Sequence, residues 1–345
     1  MSVSKYAYVY ARIRARMSEL IDERRLKELI DARSGDFMPS LMDSVYKDKI
    51  AKEGLTELNA RAIERPLKAD LIDQYLMVIK STDGVLRAIF EEMLRRLEVK
   101  NLKAVIRAKA AGTTEAAMLF PVDDFFGRGI AKLAEVDSLE GVIKRLKSPY
   151  NQVLEAVLPE YGTTKKVFVL ENALDNELFD AIWSKTEQLR GVDKEIVKKI
   201  VGTEFDIANL MTMLRCKSEG IGKEEQKRYF LPYTFQFDAE AMQDSIAAEN
   251  VNSAIQLLPG SVYKDVLSDA LPFYDAQQSL MPFENALRRY FFALVSRTLR
   301  GYAINIGAII GYLYLKEIEV KNLCTIAVCK ENELPAEETM KIVMM

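Results

Sequence analysis

Between residues 5 and 30, Val9, Ile13, Met17, Leu20 and Ile21 recur at helical spacing while Arg12, Arg16 and Glu23 fall elsewhere, a pattern that predicts one long amphipathic helix. Its continuation, Leu26-x-x-Leu29-Ile30, has counterparts in Leu139-x-x-Val142-Ile143 and in the stretch from Asn252 to Ile255. A second predicted helix follows each time. Ser148-Pro149-Tyr150 through Leu158-Pro159 and Tyr161 matches Ser261-Val262-Tyr263 through Leu271-Pro272 and Tyr274, every position 113 residues later. The first version runs from Phe37 to Tyr46, with Pro39 suited to a first helical turn. Pro159 and Pro272 withhold a backbone donor at the same place, so both helices are expected to end or kink there.

Third helices are marked by Glu64-Arg65-Pro66-Leu67, Glu171-Asn172-Ala173-Leu174 and Glu284-Asn285-Ala286-Leu287. Each leads, 37 or 38 residues on, to an Asn-Leu pair with a lysine eight residues after the Asn: Asn101 to Lys109, Asn209 to Lys217, Asn322 to Lys330. One inserted residue turns a helix face by about 100°, so spacing kept this closely means one tertiary unit used three times. The three Asn stand 108 and 113 residues apart, a domain-sized period and not that of a short solenoid repeat. The predicted repeats are 1–121, 122–234 and 235–345, with linkers near 121–128 and 232–240. Gly112, Gly220 and Asn332 are of the residue types that accept a left-handed helix end, and Thr113-Thr114-Glu115, Gly222-Lys223-Glu224-Glu225 and Leu334-Pro335-Ala336-Glu337-Glu338 then read as helix starts. Val167-Phe168-Val169-Leu170 is strand-like but too short to separate from a helix entry. The expected fold class is all-α.

Composition narrows the chemistry. The 345 residues are 49% hydrophobic and 29% charged, enough for a sizeable core, and 48 bases against 51 acids leave a net charge of −3, which argues against a general nucleic-acid surface. Histidine is absent, which removes the usual general base and most transition-metal sites. Cys216, Cys324 and Cys329 form no Cys-x-x-Cys pair; small packing residues account for them, with a reactive thiol as the alternative. No apolar leader opens the sequence, so secretion is not expected, and the apolar run Ala303–Leu315 falls short of the roughly 20 residues of a membrane span and reads as a core helix.

Candidate sites are few. Asp123-Asp124-Phe125-Phe126-Gly127-Arg128 is like the aspartate-rich magnesium motif of helical prenyl-diphosphate enzymes, but Gly127 stands where a third acid is needed, and a solvated loop explains the pair. No Gly-x-x-x-x-Gly-Lys-Ser/Thr or Gly-x-Gly-x-x-Gly is present, so nucleotide binding has no support. Lys109, Lys217 and Lys330 either complement helix C-termini or form a threefold set of cations facing a partner. The motif Asn is expected to satisfy helix-end or inter-helix polar groups. Arg288, Arg289, Arg297 and Arg300 crowd the last third helix, with Arg289, Arg297 and Arg300 near one face, either solvated or turned to an acidic partner.

With the repeat, the opening Tyr6-Ala7-Tyr8-Val9-Tyr10-Ala11-Arg12 and the closing Lys316-Glu317-Ile318-Glu319-Val320-Lys321-Asn322-Leu323, the chain resembles the C subunit of A-type and bacterial V-type rotary ATP synthases, whose counterpart in vacuolar ATPases is the d subunit. The resemblance covers essentially the full length, including the acidic tail Glu333–Glu338; eight extra residues between Tyr46 and Glu64 depart from the internal regularity. It implies a non-catalytic, funnel-shaped protein of three helical domains around a pseudo-threefold axis, one copy per complex, peripheral on the cytoplasmic face of the membrane. Its implied partners are the D and F subunits of the central axle, held in the cavity, and the membrane proteolipid ring. No cofactor, metal, nucleotide or nucleic acid is implied. The alternatives are a magnesium-dependent prenyl-diphosphate-type enzyme using Asp123 and Asp124, or an unrelated helical scaffold.

Overall fold

The computed structural model describes residues 4–113, 119–236, 239–258, 260–299 and 304–344, and every regular element among them is helical. The chain opens with α1 (Ser4–Met17), α2 (Glu23–Asp31), α3 (Ser34–Met42), α4 (Lys47–Lys52), α5 (Ala60–Lys80) and α6 (Gly84–Ala110). Then come α7 (Asp123–Phe126), α8 (Ile130–Leu133), α9 (Leu139–Arg145), α10 (Tyr150–Thr164), α11 (Val167–Glu187) and α12 (Gly191–Ser218). The last group is α13 (Lys223–Gln226), α14 (Ala239–Ala247), α15 (Val251–Gln256), α16 (Val262–Gln277), α17 (Met281–Leu299), α18 (Ile306–Glu331) and α19 (Ala336–Ile342). Third helices are thus α5, α11 and α17, and the Asn-Leu helices, here called anchors, are α6, α12 and α18.

Two compact units result, one of residues 1–185 with 303–345 and the other of 186–302. The cut differs from the sequence repeats because α6 packs with α8 and α9, α12 with α15 and α17, and α18 with α5, α1 and α3. In the second unit α12 contributes Leu210, Met213 and Leu214 to a core completed by Ile255, Tyr263, Leu267, Phe283 and Leu287 from α15, α16 and α17. In the first unit α18 lies along α5 and α1, so the last anchor is seated among the helices of the first repeat. The apolar start of α18 is buried all round, with Ala308, Ile309, Ile310, Tyr312 and Leu313 each at most 2% exposed, which is why its sequence lacks amphipathic alternation. No described helix is long and apolar enough to cross a membrane.

Several boundaries depart from the sequence expectations. The pattern over 5–30 is two helices, because Asp22 turns extended and its side chain accepts from the Arg25 amide, capping α2. Pro159 and Pro272 do not end α10 and α16, which run five residues further and stop where Lys165 and Gln278 adopt φ of 57° and 51°. A proline this near a helix end removes one hydrogen bond from a segment already held by side-chain packing. Pro39 lies inside α3, beyond its first turn. Val167–Leu170 is the entry to α11. Of the three predicted left-handed ends, Gly112 and Gly220 take φ of 69° and 65°, but in the last repeat Glu333 does so at 55° and Asn332 does not. All three ends share the same amide-to-carbonyl closure, Thr113 to Ala108, Ile221 to Cys216 and Leu334 to Cys329, each 2.9 Å, which fixes the left-handed position eleven residues past the Asn in every repeat. The helix start expected at Thr113-Thr114-Glu115 falls on residues 114–118, outside the described residues.

Gly202 in α12 lets the chain at Phe235 cross closely: a Cβ there would lie 2.7 Å from the Phe235 Cβ and Cγ. Gly202→Ala is therefore expected to cost about 1–3 kcal/mol by overpacking. A lowered urea midpoint checks it, and an unchanged midpoint would show that Phe235 moves aside freely.

Candidate functional site

The recurring chemistry sits on the three anchors, and it has three parts. The first is the motif Asn, which pairs with a later backbone segment as another peptide group would. Asn101 Nδ2 donates to the Phe120 carbonyl and its Oδ1 accepts from the Phe120 amide, both at 2.8 Å. Asn209 does the same with Leu231, at 3.3 and 2.8 Å, and adds the Tyr233 carbonyl at 3.1 Å. Asn322 closes on Met344 at 2.7 and 3.1 Å. A buried amide with both ends engaged has nothing left for a ligand, in line with the structural role expected of it.

The second part is the motif lysine. Lys109 Nζ donates to the Ala134 carbonyl at 2.6 Å, just past α8. Lys217 Nζ donates to the Ile246 and Ala248 carbonyls at 2.6 and 2.5 Å, at the end of α14. Lys330 Nζ donates to the Ile30 and Ala32 carbonyls at the end of α2. Each ammonium is held on the C-terminal carbonyls of a short helix of another repeat, the following one for Lys109 and Lys217 and the first for Lys330, and not on those of its own helix; burial lowers the pKa of Lys217. The set of outward-facing cations that the spacing allowed is thus turned inward, because unpaired carbonyls at those helix ends require donors.

The third part was not singled out from the sequence: a buried acid three residues before each Asn, bonded to a tyrosine at the start of a helix, Tyr150 on α10, Tyr263 on α16 and Tyr46 just before α4. Tyr150 Oη donates to Glu98 Oε2 at 2.7 Å, Tyr263 Oη to Asp206 Oδ2 at 3.0 Å, and Tyr46 Oη to Glu319 Oε1 at 2.5 Å. The signal was present in the constant acid-x-x-Asn spacing and in the matched Tyr150 and Tyr263, whereas the sequence pattern matches Tyr46 to Tyr161 and Tyr274 at the far end of the second helix. Burial and the facing carboxylate push all three phenols above their ordinary range, so they remain donors. Burial also raises Glu98 and Asp206.

The three acids are compensated differently. Glu98 accepts from Arg128 Nη1 at 2.5 Å, and the Arg128 and Arg95 guanidiniums lie 5.3 and 5.9 Å from the Tyr150 ring centre. Glu319 meets Lys316 Nζ at 2.9 Å and the Ile21 amide at 2.5 Å, while Lys316 also reaches Asp70 at 2.9 Å and stacks 4.3 Å over Tyr46. Asp206 instead takes the backbone amides of Phe235 and Gln236, at 2.7 and 2.9 Å, and no ion pair to it is formed among the described residues. Thr203 stands where the other anchors carry Arg95 and Lys316.

Ion pairs fasten neighbouring helices of the first unit. Arg95–Glu177, Lys103–Asp175 and Arg107–Glu171, at 2.5, 2.5 and 2.6 Å, descend α11 as they climb α6, so the two helices run antiparallel. Glu317 on α18 binds Lys100 and lies 3.9 Å from Arg96 on α6. Burial works to raise the Glu317 pKa, but Lys100 and Arg96 outweigh it and hold the carboxyl at about 2. A depressed folded pKa contributes stability above the ordinary value of 4.5 and forfeits it as pH falls toward about 2. Glu317→Gln should therefore be less stable than the parent near neutrality, with the gap closing below about pH 4.5; urea midpoints at about pH 7 and about pH 3.5 measure it.

Asp123 accepts from the Ile130 and Ala131 amides at 2.9 and 2.8 Å, so both its oxygens cap α8 and the magnesium reading loses that carboxylate; the Asp124 side chain lies outside the described residues. No group of three or more His, Cys, Asp or Glu among the described residues could hold a metal. Cys216 and Cys329 are buried and outside any disulfide, and burial pushes the Cys324 thiol up to about 12, away from a reactive thiolate. On α17, Arg288 pairs with Glu284, while Arg289 and Arg297 are exposed and Arg297 Nε reaches its own helix at the Ala293 carbonyl, 3.3 Å; Arg300 lies outside the described residues.

The same clamp, cap and buried tyrosine pair thus recur on three anchors spread over the whole chain, and a family profile described as ATP synthase (C/AC39) subunit matches residues 9–342. The chain belongs to that family. The C subunit of the A-type ATP synthase of Methanosphaera stadtmanae is 28% identical over 100% of this chain and 89% of its own length. That of Methanocaldococcus jannaschii is 28% identical over 100% of this chain and 87% of its own length, and that of Methanothermobacter thermautotrophicus 30% identical over 93% and 83%. Membership in the C/AC39 family sets aside the unrelated-scaffold alternative. It also gives the anchors a context: they are the internal framework of an ATP synthase subunit.

Proposed function

We propose that this C/AC39 chain is the non-catalytic coupling piece of a rotary ATP synthase rotor, joining the central axle, made of the D and F subunits, to the membrane proteolipid ring. In this reading the repeats 1–121, 122–234 and 235–345 are three similar helical domains around a pseudo-threefold axis, with the axle tip in a central cavity. One copy serves each complex, on the cytoplasmic face of the membrane. The observation that carries the proposal is the three-times-repeated anchor: clamp, cap and buried pair make stiff, near-equivalent modules, and torque transfer requires stiffness. Repetition within one chain also leaves each copy free to differ, which suits joining an asymmetric axle to a ring. Arg289 and Arg297, and by extension Arg300, supply a partner-facing charge, whereas Lys109, Lys217 and Lys330 act from within by holding short helices in place.

The test is reconstitution of the purified chain with the axle proteins and with the proteolipid ring. Retention by both during size-exclusion chromatography, at one copy per complex, is the expected result. A chain that binds neither, or that turns over substrate alone, would overturn the proposal.

A further inference from the structure

Helix α1 is unlike the rest of this weakly acidic chain. Its sequence SKYAYVYARIRARM holds Lys5, Arg12, Arg14 and Arg16 and no acid, within a protein of net charge −3. Tyr6, Val9 and Ile13 are turned into the core and at most 3% exposed, so the fold already uses the whole apolar stripe of the helix. The outward face is a different surface. Tyr8 is 66% exposed, with the Arg12 guanidinium 5.6 Å over its ring, and elsewhere on the helix Arg14 lies 5.8 Å over Tyr10. Ala7, Ala11 and Ala15 are exposed one above another beside these pairs. Arg12 donates to Ser81 Oγ at 3.2 Å, but neither Arg12 nor Arg14 forms an ion pair among the described residues. Arg16 lies 4.0 Å from Glu19.

The geometry points to α1 as a docking face for an acidic helix of a neighbouring subunit, an inference that rests on the rotor reading above. Stacking on tyrosine pre-orders each guanidinium; the Arg14 fork stays open, and Arg12, with Nη1 on Ser81, keeps its Nε–Nη2 edge, the arrangement that binds carboxylates bidentately. Arginine and tyrosine are the residue types that carry most interface energy, and here they are exposed together without an acid on the same helix. The alanine column lets a second helix axis come to the near end of the usual 8–10 Å range. The face is about 21 Å long, which fits about four turns of partner helix and makes it one part of a larger contact. A lipid surface fits less well, because interfacial helices bury a broad apolar face among acyl chains and that of α1 is spent on the core.

Arg12→Glu/Arg14→Glu reverses the charge at two exposed positions with a residue that also favours helix, and circular dichroism should be unchanged. Binding of the full chain to the purified axle proteins and to the purified proteolipid ring is measured separately, at low and at high salt. The expected result is that one of the two partners binds the parent in a salt-sensitive way, that the reversed chain binds it about tenfold or more weakly, and that Arg12→Lys/Arg14→Lys restores part of the lost affinity. Equal binding of parent and reversed chain would overturn the inference and leave the rotor reading standing. A parent that binds neither partner overturns both. Vesicles of anionic phosphatidylglycerol, if they retain the parent and release the reversed chain, would assign the face to lipid instead and overturn the helix partner.

Discussion

Replacing Asp206 with alanine will lower the stability of the unit formed by 186–302 by about 3–5 kcal/mol. The carboxylate is fully buried and takes three donors at once, the amides of Phe235 and Gln236 and the hydroxyl of Tyr263. Alanine leaves all three without an acceptor, and water can reach the site only if the chain at 235–236 lifts away from α12. Tyr263→Phe removes only one donor and should cost about 1 kcal/mol. Hydrogen exchange resolved by segment is the decisive measurement: protection should fall across 186–302 and persist in 1–185. Retained protection around Phe235 in the alanine variant would mean that the carboxylate is not what holds this segment. Because burial raises the Asp206 pKa, the folded state binds its proton more tightly than the unfolded one. That contribution is full below the unfolded value and is lost as pH rises through the folded one, so the parent should gain on Asp206→Asn as the solution is acidified.

Lys316→Met should be as costly in the other unit, again about 3–5 kcal/mol, for an electrostatic reason. The Lys316 ammonium lies 2.9 Å from both Asp70 and Glu319 and is 3% exposed, so its removal leaves two buried acids facing each other. Lys49, 3.9 Å from Asp70, is too distant and too exposed to replace it. Removing one of the two facing carboxylates should relieve the loss, so the double variant Lys316→Met/Asp70→Asn is expected to recover stability. Trp183, the single tryptophan, lies in the same unit and reports its unfolding by fluorescence. No recovery in the double variant would show that packing of the lysine stem, not its charge, carries the site.

The repeat was legible because helical geometry punishes drift: Asn101, Asn209 and Asn322 keep their lysines eight residues on, and the structure uses all three pairs alike. The all-α class and the third and anchor helices followed from periodicity. What each lysine faces was not legible, since a cation near one helix end explains itself locally, while the carbonyls it binds belong to another repeat. The same offset hid the buried acids. Glu98, Asp206 and Glu319 look like ordinary surface positions until Tyr150, Tyr263 and Tyr46 arrive from elsewhere in the chain. The divided opening helix turned on one residue, Asp22, whose capping competes with continuation of the apolar stripe. The third left-handed end was misplaced by one residue because Asn332 has the commoner side chain for it, yet the 2.9 Å closure from Leu334 to Cys329 forces Glu333 to adopt it.

The seating of α18 against α5 and α1 bears on how the protein is made. A ribosome delivers 1–185 first, but the helix that bonds Asp70 and Gln74 of α5 and lies along α1 emerges only after all of 186–302 has been threaded out, a delay on the order of ten seconds. The middle segment can fold at once from contiguous sequence, whereas the earlier one waits with an apolar groove open to solvent. Nascent chains arrested before residue 303 should accordingly recruit chaperones at their first half and release them once the last long helix clears the exit tunnel.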